Sequence, residues 1–111
     1  MAKYMVLYSS TNDARELMAQ ASAEEMQASM QEWIRWKESL AASIGFEWGL
    51  PLQADSEITP TAVQASHSTV SGYATMEGEK DAITEALKTH PHLKRDGASI
   101  DMLEMLTMPG M

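Results

Sequence analysis

The chain has 111 residues, no cysteine, and sixteen acidic against eight basic side chains, a formal charge of −8. This length predicts one domain, residues 1–111, able to bury a core unaided, and the missing cysteines exclude disulfides, thiolate chemistry and zinc–sulfur sites. The acids are scattered and Lys94 and Arg95 are the only adjacent bases, which argues against nucleic acid and an anionic membrane surface, since both need clustered cations.

The opening "MAKYMVLYSS" is apolar over too few residues for a signal-peptide core or a membrane span, so a soluble cytoplasmic protein is expected. Within it, residues 3–8 read as a strand with Tyr4, Val6 and Tyr8 on one face and Met5 and Leu7 on the other. A strand apolar on both faces requires cover on both. Residues 10–21 read as a polar loop with at most a short helical turn. From Ser22 to Gly45 the pattern is an amphipathic helix of roughly six turns, opened by a Ser22/Glu25 capping box and closed by Gly45. Its expected inner stripe is Met26, Met30, Trp33, Leu40, Ala41 and Ile44, at about 100° per residue.

"FEWGLPL" reads as a second strand ended by Pro51, and residues 53–66 as a loop or ragged hairpin tip around Pro60. "STVSGYATM" is a third strand in which Gly72 permits a bulge or close approach. "GEKDAITEALKTH" is a second helix with Glu79 and Asp81 at its positive end, and "ASIDMLEMLTM" is a fourth strand followed by a "PGM" tail. The ten methionines fill irregular gaps in core and interface, a Met-lined ligand groove being the sharper alternative.

The order β-α-β-β-α-β predicts an α+β, ferredoxin-like antiparallel sheet with two helices on one face. The fourth strand repeats the two-faced pattern of the first, with Ile100, Met102 and Leu106 on one side and Leu103 and Met105 on the other. A homodimer packed sheet to sheet, a dimeric α+β barrel, is the expected remedy for the bare face.

"KYMVLYSS", "EEM" opening a helix with two tryptophans, "GLPL", "SGYATMEGEKDAITEAL" and "HPHLKRDGASIDMLEMLTMPGM" together resemble the YCII-related family over nearly the whole chain. The resemblance implies the dimeric α+β barrel, a scaffold shared by muconolactone isomerases and small monooxygenases. Two signatures of that family differ here. One branch pairs a histidine of the first helix with the aspartate of an Asp-Pro step. This first helix holds no histidine, and the step reads His90-Pro91. Another branch carries Asp-Gly-Pro-Phe before the third strand, where this chain reads "QASHSTVSGY". The His–Asp dyad is therefore not carried over, and His90 inherits a place without a partner.

Two of three histidines stand in "HPH". Pro91 biases His90 away from helical geometry, so it is expected at the helix end, bonding free carbonyls there, with general acid/base work as the alternative. His92 is expected to be exposed, and no metal site is expected, because the two rings diverge and no third ligand is suitably spaced. Asp101 is the second acid/base candidate, facing the barrel interior. Trp33, Tyr8 and Tyr73 are expected to line a ligand cavity if not simply packed, with both tyrosines at its mouth. Lys37 falls inside the apolar helix stripe, either snorkelling or partly buried and facing the sheet, where its charge needs a carboxylate partner; in the second case it is a candidate for binding the substrate.

No phosphate loop or nucleophile elbow is present, and no cofactor is implied. Two functions fit: a small enzyme moving a proton, eliminating or isomerising on a small cyclic organic molecule, or a non-catalytic dimeric module that binds a metabolite or protein.

Overall fold

In chain order the elements are β1 (Ala2–Ser9), α1 (Ala14–Gln20), α2 (Ala23–Glu38), β2 (Gly45–Pro51), β3 (Ser56–Ile58), β4 (Val63–Ala65), β5 (Val70–Gly78), α3 (Lys80–Leu87), a 3-10 turn (Pro91–Lys94) and β6 (Ser99–Glu104). The computed structural model describes residues 2–11 and 14–110. Positions 12–13 of the expected loop and Met111 of the tail lie outside them. β1 pairs antiparallel with both β5 and β6, and β2 closes the other edge on β5. The fold is thus α+β with a four-stranded antiparallel sheet ordered β2-β5-β1-β6, compatible with the ferredoxin-like arrangement. β3 and β4 form a separate hairpin.

The period of two along β1 decides where the core lies. Tyr4, Val6 and Tyr8 are buried and share a face with Ala74 and Met76 of β5, opposite which they pair or nearly pair. Trp36 from α2 and Ile83 and Leu87 from α3 complete that cluster, so both helices cover the same face. Each such large apolar side chain contributes about 1.5–3 kcal/mol through burial. On the opposite face Leu7 stands between Tyr73 and Asp101, and Met5 between Thr75 and Leu103. Met5, Leu7 and Tyr73 are half-buried there, and Leu103 is exposed.

Two irregularities shape the sheet. The β1–β5 register slips between Tyr8 and Ser9, opposite Gly72 and Val70, at the glycine that the sequence marked. On β2 the register slips between Trp48 and Pro51. Gly49 lies inside that step, and a Cβ there would sit 2.3 Å from the Tyr73 carbonyl oxygen, so only glycine fits.

The first long helix differs from expectation in length and facing. The Ser22/Glu25 capping box is present, but α2 ends at Glu38 after 16 residues. Ser39 closes it: its hydroxyl donates to the Trp36 carbonyl at 2.6 Å. Gly45 is not a helix stop, because β2 uses it opposite Glu77. The inward stripe runs through Ser29, Trp33, Trp36 and Leu40, while Met26 and Met30 are exposed, Met30 to 65%. The two indoles explain the rotation: burying them, with the Trp36 Nε1–H donating to the Ala86 carbonyl at 3.0 Å, outweighs burying two thioethers.

At the C-terminal end, Met105 N–H still donates to the Lys3 carbonyl at 2.8 Å, but β6 itself ends at Glu104. Leu106, which the alternation puts on one side with Ile100 and Met102, is 79% exposed for that reason. Among the described residues no helix is long and apolar enough to cross a membrane.

Candidate functional site

The "HPH" tripeptide joins α3 to the 3-10 turn. The backbone N–H of His90 donates to the Leu87 carbonyl at 3.1 Å, ending α3. His90 itself is extended, with φ −64° and ψ 134°, the conformation imposed before proline. Pro91 then starts the 3-10 turn, where its fixed φ suits a first helical position and its missing N–H is no loss. The His90 imidazole caps that turn: Nδ1 accepts from the His92 backbone N–H at 3.0 Å. A ring nitrogen thus stands where Ser, Asp or Asn usually caps.

This places two imidazoles under the sheet. His90 is 1% exposed and His92 6%, so the expectation of an exposed His92 is corrected. The turn after Pro91 folds its ring back onto β1, where His92 Nε2–H donates to the Ser9 carbonyl at 2.9 Å. The rings do not serve the free carbonyls of α3 either; His90 meets one of them, that of Leu87, through its backbone N–H. Tyr8 lies between them, its ring centroid 4.9 Å from His90 and 5.2 Å from His92. Its hydroxyl oxygen is 3.1 Å from His90 Nε2. Trp36 and Trp33 close over His90 at 4.3 and 4.5 Å. Trp48 stacks on the outside of Trp33 at 6.1 Å and 27°.

The hydrogen bonds determine the proton positions. Burial, with His92 as a secondary neighbour, pushes the His90 pKa down to about 3, so its ring is neutral near pH 7. Because Nδ1 accepts from a backbone N–H, the single ring proton is on Nε2, and Nε2–H donates to the Tyr8 oxygen. The Tyr8 hydroxyl proton is then not consumed by His90. Burial raises the Tyr8 pKa above its ordinary value, so the phenol remains a neutral donor. His92 is also held below the usual histidine range, chiefly by burial; the Ser9 and Ser99 carbonyls oppose this and Arg95 adds to it.

Compared with known proteins, the chain matches no family model and no curated protein.

Of the residues singled out in the sequence, the structure brings together Tyr8, Trp33 and His90. Tyr8 is on the helix face and 3% exposed, not at a cavity mouth, because Tyr4, Val6 and Tyr8 share the covered side. Asp101 and Tyr73 lie on the other side of the sheet, in one row flanking Leu7, and Asp101 is exposed. His90 and Asp101 therefore do not form one site. Lys37 is exposed in the last turn of α2, because the inward stripe passes through Trp33 and Trp36 and leaves position 37 at its edge. His92 is the member that sequence reasoning did not assign to a site. The proline between the histidines signals a turn there, but not which surface the turn meets.

Every buried side-chain nitrogen or oxygen among the described residues has a hydrogen-bond partner. No cluster of three or more His, Asp or Glu side chains able to hold a metal occurs among them. Chemically, the arrangement offers one phenol donor, polarised by an imidazole N–H and walled by aromatic rings.

Proposed function

We propose that this chain is a homodimeric ferredoxin-like barrel protein of the YCII-related kind, and that its Tyr8–His90–His92 cluster acts on a small cyclic organic molecule. The uncovered sheet face supports the dimer: Met5, Leu7, Tyr73 and Leu103 make an apolar surface that a second sheet would shield. Asp101 and Tyr73 belong to that interface in this reading, and the chemistry belongs to the helix face.

One observation carries the catalytic part. His90 Nδ1 is occupied by the His92 N–H, which leaves the Tyr8 proton free to meet a substrate oxygen. The phenol polarises that oxygen by donating to it, and the His90 N–H strengthens the phenol as a donor. Neither group needs to ionise. A cofactor-free reaction suits such a site.

The test is turnover of ring ketones, lactones and quinols by the protein and its Tyr8→Phe variant. Loss of one donor of this kind lowers kcat by about 10²–10³-fold. Equal turnover by both would remove Tyr8 from the chemistry. The closure of the cluster, with Tyr8 only 3% exposed, favours the second reading, a non-catalytic binding module; ligand binding without turnover across that panel would select it.

A further inference from the structure

The β3–β4 hairpin stands apart from the rest of the molecule. Its pairs are Ser56–Ala65, Glu57–Gln64 and Ile58–Val63, and every residue of both strands is exposed. It prolongs the β2–β5 ribbon: Leu52 N–H donates to the Ser71 carbonyl at 2.9 Å, and Ser66 N–H to the Asp55 carbonyl at 3.0 Å. At the tip Thr59 N–H donates to the Ala62 carbonyl at 2.8 Å, and Pro60 takes the second position of that turn, which its fixed φ suits. The hairpin is thus ordered to its end yet packed against nothing. The molecule is drawn out accordingly, with a radius of gyration of 15.8 Å against about 13 Å for a compact domain of this length.

Its two faces differ. Glu57 and Gln64 share one, where the Gln64 side-chain N–H donates to Glu57 Oε1 at 2.7 Å. Alternation puts Ile58, Val63, Ala65 and Ser56 on the other, a face without charge on which Ile58 is 74% and Val63 70% exposed. The Ser56 hydroxyl is taken up by its neighbour Asp55, donating to Oδ1 at 2.9 Å. An isolated two-stranded hairpin is marginal in water, and a ribbon polar on one face and apolar on the other calls for cover on the apolar one. We infer that the β3–β4 hairpin is an arm by which each protomer grips a second copy of the chain, with Ile58 and Val63 seated on the partner. This rests on the reading of the chain as a dimer. Area and charge favour a second copy as the occupant. The bare face of the four-stranded sheet, about six residues long, spans roughly 400 Å² in plan, whereas a stable interface buries about 800 Å² per partner. In a twofold pair each protomer adds its own arm face and the patch beneath its partner's arm. Each of these is about 150 Å², which brings the interface close to the required size. Two chains of −8 each repel one another, and an uncharged face is one that such chains can press together.

The test has two arms, both on the full chain. Ile58→Ser and Val63→Ser remove apolar contact at positions that are exposed in the single chain, so the protomer folds as before. Each change counts twice in a twofold dimer, and each should raise the dissociation constant about tenfold or more by sedimentation. The chain has no cysteine, so Ile58→Cys carries the sole thiol. Its alkylation by iodoacetamide should be about threefold slower at ten times the variant's own dissociation constant than at one tenth of it, because the dimer covers the arm. A dimer whose dissociation constant ignores both serine substitutions, with a thiol equally fast at both concentrations, overturns the arm and leaves the sheet-face dimer standing; the hairpin then serves a different partner or none. A thiol already slow at the lower concentration, relative to a free cysteine peptide, places the arm against its own chain and overturns the inference as well. A chain that stays single throughout the micromolar range overturns the dimer reading and the arm together.

Discussion

At the residue scale, His90 links three elements through one neutral ring: it follows α3, caps the 3-10 turn through Nδ1 and meets β1 through Tyr8. His90→Phe keeps the ring volume but orphans the His92 N–H and changes the partner of the Tyr8 hydroxyl. Each unsatisfied buried group costs about 1–3 kcal/mol, measurable as a lower urea midpoint; an unchanged midpoint would show that the hydrogen bonds are incidental. The histidines also set the pH response. Their folded pKa values lie below the unfolded 6.5, His90 near 3, so between those values the unfolded chain binds more protons than the folded one. Stability is full above about pH 6.5 and falls as pH drops toward 3. Unfolding midpoints taken from pH 7.5 to 4 should decline steadily, and the His90 ring resonances should not titrate above pH 4. A His90 titration near 6.5 would contradict the buried neutral ring. The burial of His92 was not legible in the sequence, because the path of the chain beyond Pro91 depends on which surface the turn meets.

At the element scale, local chemistry was legible where short-range hydrogen bonds dictate it. The Ser22/Glu25 box opens α2 as its spacing implies, and Ser22→Ala should cost about 1 kcal/mol of stability by thermal or chemical unfolding. The end of the same helix was not legible. Gly45 carries a stop signal in sequence but sits in a strand, and Ser39, an unremarkable residue, closes the helix with its hydroxyl. The helix's facing was legible only to within one row: Met26 and Met30 were expected inside, yet the indoles of Trp33 and Trp36 turn the helix toward themselves. Gly49 gives the opposite case, a residue with no sequence signal whose role is tertiary. Gly49→Ala would drive a methyl group against the Tyr73 carbonyl and ring and should destabilise the β2–β5 pair by about 1–3 kcal/mol. Wild-type stability of that variant would mean the step at β2 is free to shift.

At the scale of the whole molecule, the two faces of one sheet divide the work. β1 states this in its alternation: Tyr4, Val6 and Tyr8 go to the helices and the aromatic cluster, Met5 and Leu7 to the bare side. That both faces are apolar was legible from six residues; which face the helices would take was not, since nothing local distinguishes the two rows. If the proposed dimer forms through the bare side, Leu103→Lys, at a position already exposed in the single chain, should break it without unfolding the protomer. Sedimentation equilibrium of the unmodified chain at micromolar concentration is the most direct measurement of this division. A sheet-to-sheet dimer gives twice the 12.2 kDa of one chain, reverting to one chain in Leu103→Lys. A mass of 12.2 kDa for the unmodified chain across that range would contradict it.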